Sequence, residues 1–173
     1  MPDSFEQLVV PHLRAGYNLA RWLLRNDHDA EDVMQEAVIR AFRHFAGFAG
    51  SSPRAWLLAV VRNCAYTFLH QNRARELNDE FDETVPNEDV PGPESPEVLL
   101  LRSARLKMLN DAVEALPVEF REVFVLREME GLSYKEIAGV AGVPIGTVMS
   151  RLARARRRLQ SLVARRESAG STS

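Results

Sequence analysis

Apolar residues recur along this chain at spacings of three and four, the period of a helix with one buried face. No segment reads as a strand and no internal repeat is visible. Ser4 and Gln7 form a capping-box pair for an opening helix, which Pro11 ends or kinks. Leu13, Tyr17, Ala20, Leu23 and Leu24 continue a helical stripe. Asn26-Asp27-His28 is turn-like, and Asp29 is a candidate N-cap for the next helix. The apolar face of that helix takes Val33, Ala37, Ala41 and Phe45, with Met34, Val38 and Phe42. Residues 46–55 carry two glycines, two serines and a proline and read as a loop. A long helix follows, in which Trp56, Leu57, Val60, Val61, Cys64 and Phe68 are expected to pack.

The second half resumes the pattern. Leu101, Ala104, Met108, Leu109, Ala112 and Leu116 share one face over residues 98–115 and just beyond. Pro117 stops that helix and starts another, with Phe120, Val123, Phe124 and Leu126 packing. From Gly131 to Val163 the chain predicts two helices around a tight turn. Ser133 with Glu136 is a capping box, Gly142 suits a helix end at positive φ, and Pro144 suits the first turn of the next helix. That last helix has Val148, Leu152, Ala155, Leu159 and Leu162 on one face. The other face offers Thr147, Ser150, Arg151, Arg154, Arg157 and Arg158. Between Ser150 and Arg166 there are seven arginines and no acidic residue. Two short helices joined by a Gly-containing turn, the second basic, match a DNA-reading helix-turn-helix. The planar arginine fork pairs with guanine edges and with phosphates. A solvated basic helix or a coiled-coil face are the plainer readings.

Charge changes the picture more than composition does. The net charge of −2 over 173 residues hides a partition. Residues 1–75 hold nine basic and seven acidic side chains, residues 76–97 none and nine, and residues 98–173 thirteen and eight. The acidic middle also holds four prolines. It lacks the apolar surface to order itself and reads as a flexible tether. The fold class expected is all-α: two small helical domains joined by that acidic linker, the second domain carrying the helix-turn-helix. The expected boundaries are 1–75, 76–97 and 98–166, with 167–173 a disordered tail. The single cysteine, Cys64, excludes an internal disulfide and a cysteine-cluster zinc site. No apolar run is long enough to span a bilayer, and no signal peptide is visible, so a cytoplasmic location is expected.

Two surfaces carry candidate chemistry. Asp29, Asp32, Gln35 and Glu36 crowd one half of their helix. Paired carboxylates at this spacing suggest metal binding or acid–base catalysis, but no Glu-x-x-His accompanies them. A docking face for a basic partner, or a solvated face, are the alternatives. Further on, Arg62, Asn63, Tyr66, His70 and Arg73 form a polar, basic and aromatic surface beside a loop holding Phe48. Such a surface suits unpaired bases, by stacking and open-edge hydrogen bonds. Equally, Tyr66 and Phe48 are ordinary core or rim residues.

Three stretches together resemble the bacterial sigma factors of the extracytoplasmic-function (ECF) type, in the sigma-70 family: DAEDVMQEAVIRAF, WLLAVVRNCAYTF, and the run from Leu116 to Leu159. The resemblance implies a transcription initiation factor, with no catalysis, cofactor, metal or small-molecule substrate. Its partners would be core RNA polymerase (through the β′ clamp helices and the β flap), promoter DNA and an anti-sigma factor, with no insertion into a membrane. By it, Asp29, Asp32, Gln35 and Glu36 fall at the clamp-docking positions. Phe48, Ser51 and Ser52 fall in the loop that holds a flipped −10 base, with Arg62, Asn63, Tyr66 and His70 lining its approach. Lys135, Thr147, Ser150, Arg151, Arg154, Arg157 and Arg158 fall where the −35 element is read. A stand-alone helix-turn-helix regulator is the alternative function, and a carboxylate-metal enzyme on residues 29–36 a distant third.

Overall fold

The computed structural model describes residues 4–50, 52–76 and 96–170, without the side chains of 75–76 and 96–102. The tether expected at 76–97 falls almost wholly outside them. Among the described residues every regular element is helical: α1 (Phe5–Leu8), α2 (Leu13–Leu24), α3 (Asp27–His44) and α4 (Pro53–Glu76) in the first half. The second half has α5 (Pro96–Glu114), α6 (Val118–Phe124), α7 (Tyr134–Ala141) and α8 (Ile145–Gly170). None of the described helices is long and apolar enough to cross a membrane.

Local chemistry accounts for most element ends. The Ser4–Gln7 and Ser133–Glu136 capping boxes both form, each satisfying two N–H groups at a helix start. A 3-10 turn, Val10–His12, absorbs Pro11 between α1 and α2. Gly142 ends α7 at φ 68°, a left-handed conformation that glycine adopts without a Cβ clash. A π-helical turn at Val125–Met129 follows α6. Three expectations need correction. Asn26, not Asp29, caps α3: its side chain accepts from the Asp29 N–H at 3.0 Å, so the helix begins three residues earlier. The loop before α4 is shorter than residues 46–55, because Phe45–Gly47 winds into a 3-10 turn and α4 begins at Pro53. Helix α8 runs past the expected boundary at 166 as far as Gly170, and residues 171–173 of the expected tail lie outside the described residues.

Helices α2, α3 and α4 pack as a three-helix unit. Leu19, Leu23, Ala37, Leu57, Leu58 and Val61 are fully buried there. Gly16 lets α2 approach closely: a Cβ there would lie 3.1 Å from Met34 Cε and 3.2 Å from Val61 Cγ2. Three residues expected inside are not. Phe42 is 68% exposed, because Val33, Met34, Ala37 and Ala41 carry the inward stripe. Its ring makes an edge contact with Phe5, ring centroids 5.4 Å apart. Leu109 is 49% exposed and Ala104 is exposed as well, since α5 packs through its C-terminal end, at Ala112 and Val113, and through Leu116 just beyond it.

The second unit sets α6 and α7 against α8, around Val123, Leu126, Leu132, Ile137, Val148 and Leu152. The two units are not held apart. α2 meets α6, α4 meets α7, and one continuous apolar core runs through both. Arg121, 3% exposed, sits at the junction. Its guanidinium donates to the carbonyls of Glu114 and Leu116 at 2.9 and 2.8 Å, and across the junction to Leu23 O at 3.1 Å. Carbonyls at a helix C-terminus lack intrahelical partners, so one arginine satisfies the ends of both α5 and α2. Burial, then the charge of Arg25, pushes the Arg121 pKa down to about 10.

Candidate nucleic-acid and protein interface

On α3 the acidic strip faces outward. Asp32, Gln35 and Glu36 are exposed and Asp29 is half-buried. Burial and then the neighbouring Asp32 charge raise the Asp29 carboxyl above the usual aspartate value of 3.8. Glu36 accepts from Arg40 Nε one turn along, at 2.8 Å. The Asn26 cap places Asp27 and Asp29 in the first turn, where the helix dipole favours negative charge. Among the described residues no group of three or more His, Cys, Asp or Glu side chains converges as a metal ion would require.

The surface around α4 is arranged differently from expectation. Phe48 is half-buried in an aromatic cluster, its ring stacked near Phe45 (centroids 6.2 Å) and tilted against Trp56 (5.3 Å). Ser51 lies outside the described residues. Ser52 caps α4 by accepting from Ala55 N at 3.2 Å, and donates to Glu136 of α7 at 3.4 Å. Asn63 and His70 are exposed. Arg62 and Tyr66 are turned toward the second unit. Arg62 lies 3.9 Å over the Tyr66 ring. Its Nε donates to Glu122 Oε1 at 2.6 Å, and the Tyr66 hydroxyl donates to Glu122 Oε2 at 2.8 Å.

Glu122 is fully buried, and both its oxygens are thus taken. Burial, reinforced by the Glu122 carboxylate, drives the Tyr66 hydroxyl pKa far up. Burial, the largest single influence, lowers the Arg62 pKa, but the charge and hydrogen bond of Glu122 together with Tyr66 outweigh it and the net shift is upward. Arg54 of α4 bonds the Glu130 carbonyl and its carboxylate, the latter at 3.1 Å. The structure therefore brings Arg62, Tyr66 and Ser52 together with α6 and α7 rather than leaving them in an open groove. Arg54, Arg121 and Glu122 escaped the sequence reading. The available signal was the Arg121-Glu122 pair set inside the apolar run from Phe120 to Leu126.

On α8 the inward face closes with Val148, Leu152 and Ala155. Ser150, Arg154 and Arg157 are exposed, and Thr147 and Arg151 are half-buried. Lys135 is exposed on α7. Arg158 leaves the common face: its guanidinium lies 5.1 Å over the Phe120 ring, a cation–π contact with α6. Arg156, which the sequence reading left out, pairs with Glu128 at 2.8 Å.

Comparison with known proteins gives two family matches, to Sigma-70 region 2 over residues 8–75 and to Sigma-70, region 4 over residues 106–159. The ECF RNA polymerase sigma factor SigE of Mycolicibacterium smegmatis is 37% identical over 95% of this chain, which spans 63% of that protein's length. The ECF RNA polymerase sigma-E factor of Haemophilus influenzae is 34% identical, over 84% of this chain and 79% of its own length. Among solved structures, the sigma factor RpoE in complex with the anti-sigma factor NepR, from Bartonella quintana, superposes with a TM-score of 0.76. It is 30% identical, and the match covers 92% of this chain and 96% of that one.

Proposed function

This chain belongs to the ECF sigma factors of the sigma-70 family, and on that premise we propose how its surfaces divide the work. The family directs core RNA polymerase to specific promoters. Asp29, Asp32, Gln35 and Glu36 dock against the β′ clamp helices of polymerase, while the second unit meets the β flap. Phe48, Ser51, Ser52 and Asn63 hold an unpaired base of the −10 element, with His70, Arg62 and Tyr66 at its approach. Lys135, Thr147, Ser150, Arg151, Arg154 and Arg157 face the −35 element, with Arg158 at the margin.

The observation that carries this reading is one of opposed charge at fixed places. An acidic strip stands outward on α3 and an arginine face stands outward on α8, in one folded chain. The acidic strip suits a basic protein surface, and the arginine face suits phosphates. Neither unit need bind promoter DNA tightly alone, because two weak sites fixed at a set separation act as one strong site. Capture of an extruded base offsets part of an unstacking cost of a few kcal/mol. No bond is made or broken in this, and the chain acts in the cytoplasm with polymerase. An anti-sigma partner is supported by the Bartonella relative, which is solved in complex with one. The stand-alone regulator finds no support in the family matches, which span both units.

In the closed arrangement Arg62, Tyr66 and Ser52 are occupied by Glu122 and Glu136. Docking on polymerase therefore draws the two units apart before these groups meet DNA. Run-off transcription with core polymerase on a pool of random promoters tests the whole reading. Transcripts starting at defined places below a recurring pair of elements are expected. Core enzyme that starts no better with this chain than without it would overturn the reading.

A further inference from the structure

The outer surface of α8 is not wholly polar. Ile145 and Met149 are 45% and 54% exposed, one turn apart in the first two turns of the helix. Val148 and Leu152 between and beyond them are buried, so the inward stripe is complete without this pair. Exposed apolar surface is unfavourable in water in proportion to its area. Here it lies next to exposed Ser150 and one further turn from exposed Arg154.

The surroundings indicate what covers it. The side chains that follow along the helix are arginines, which favour a phosphate-lined partner. The first turns of the second helix in a helix-turn-helix meet base edges, whereas later positions meet backbone. The major groove offers one apolar group to such a helix, the C5 methyl of thymine. We propose that Met149, with Ile145 beside it, selects thymine in the −35 element by contact with that methyl group. This rests on the reading of α8 as the −35 helix. Ser150 and Arg154 read hydrogen-bonding edges, and Met149 reads the one feature that hydrogen bonds cannot. An unbranched thioether suits the task, because it adapts its shape to a small apolar target.

The test uses the full chain with core polymerase on a template it transcribes. Each thymine of the −35 element, on either strand, is replaced in turn by deoxyuracil, which deletes the methyl and nothing else. Wild type should lose about fourfold in open-complex formation at one or two positions, the value of one buried methyl group. Met149→Ala should transcribe thymine and uracil templates equally, and Ile145→Ala should show a reduced difference. Both side chains are exposed, so the fold should survive, and an unchanged thermal melt checks this. Wild type indifferent to uracil at every position would overturn the proposal. So would a thymine preference intact in Met149→Ala, or an equal Met149→Ala loss on templates with and without a −35 element, which would assign the patch to polymerase. Absence of transcripts from every template would instead strike the function on which the proposal rests.

Discussion

Glu122 on α6 accepts hydrogen bonds from both Arg62 and Tyr66 on α4, across 60 and 56 residues of sequence. A carboxylate with no exposed surface is tolerable only when its charge is met and both oxygens are used. Here Arg62 supplies the charge and Tyr66 the second donor.

Glu122→Gln keeps the size of the side chain and removes the charge. The closed arrangement should weaken by about 1–3 kcal/mol, because Arg62 is left half-buried without a counter-ion. Small-angle scattering should then show a larger radius of gyration, while Glu119→Gln, a change at an exposed position of the same helix, should not. An unchanged radius in Glu122→Gln would mean that apolar packing alone holds the units together.

The sequence disclosed what its near neighbours determine. Both capping boxes, Gly142 and the inward stripe of α8 depend on residues within a few positions, and all were legible. The junction was not, because Glu122 finds its partners about a third of the chain away. Phe42 and Leu109 failed for a related reason: periodicity marks an apolar face, but only a facing element decides how much of it is covered. Asn26, read from composition as part of a turn, fits the cap rule as well as Asp29 does, and only backbone geometry separates them.

Asp32 is exposed on the acidic strip and contributes nothing to the core. Asp32→Arg should leave the melting temperature unchanged and weaken polymerase binding ~10-fold or more, because it places like charge against the docking surface. Pull-down of core enzyme at wild-type yield by this variant would remove the docking assignment.

Arg154 and Arg157 are both exposed on α8, one turn apart. Arg154→Ala should cost about 1–3 kcal/mol of discrimination between matched and mismatched −35 sequences. Arg157→Ala should weaken every sequence alike and lower the salt slope by about one. Binding titrations at several salt concentrations on matched and scrambled duplexes separate the two, and equal losses for Arg154→Ala on both duplexes would contradict its role.

Glu136 links acidity to folding. Its carboxyl is held below the ordinary glutamate value of 4.5, chiefly by the Ser133 backbone N–H, against the opposing effect of burial. The hydroxyls of Ser133 and Ser52 and the charge of Arg54 add to the lowering. A depressed carboxyl favours the fold in its ionised form. That stability is complete above the ordinary value and is lost as pH falls below it through the folded one. Glu136→Gln can still accept the capping bond but does not titrate, so its melting temperature should fall less steeply between about pH 5 and 3. Equal slopes for the two proteins would show that the loss arises elsewhere.

Under the proposed division of surfaces, Arg62 and Tyr66 serve helix α6 in the closed arrangement and the promoter on polymerase, through the same atoms. A change that improves their grip on DNA alters their grip on Glu122 as well, so the two affinities cannot be tuned one at a time. On that proposal the strength of any promoter for this protein is a difference, measured against a competitor carried on the same chain and present at constant stoichiometry.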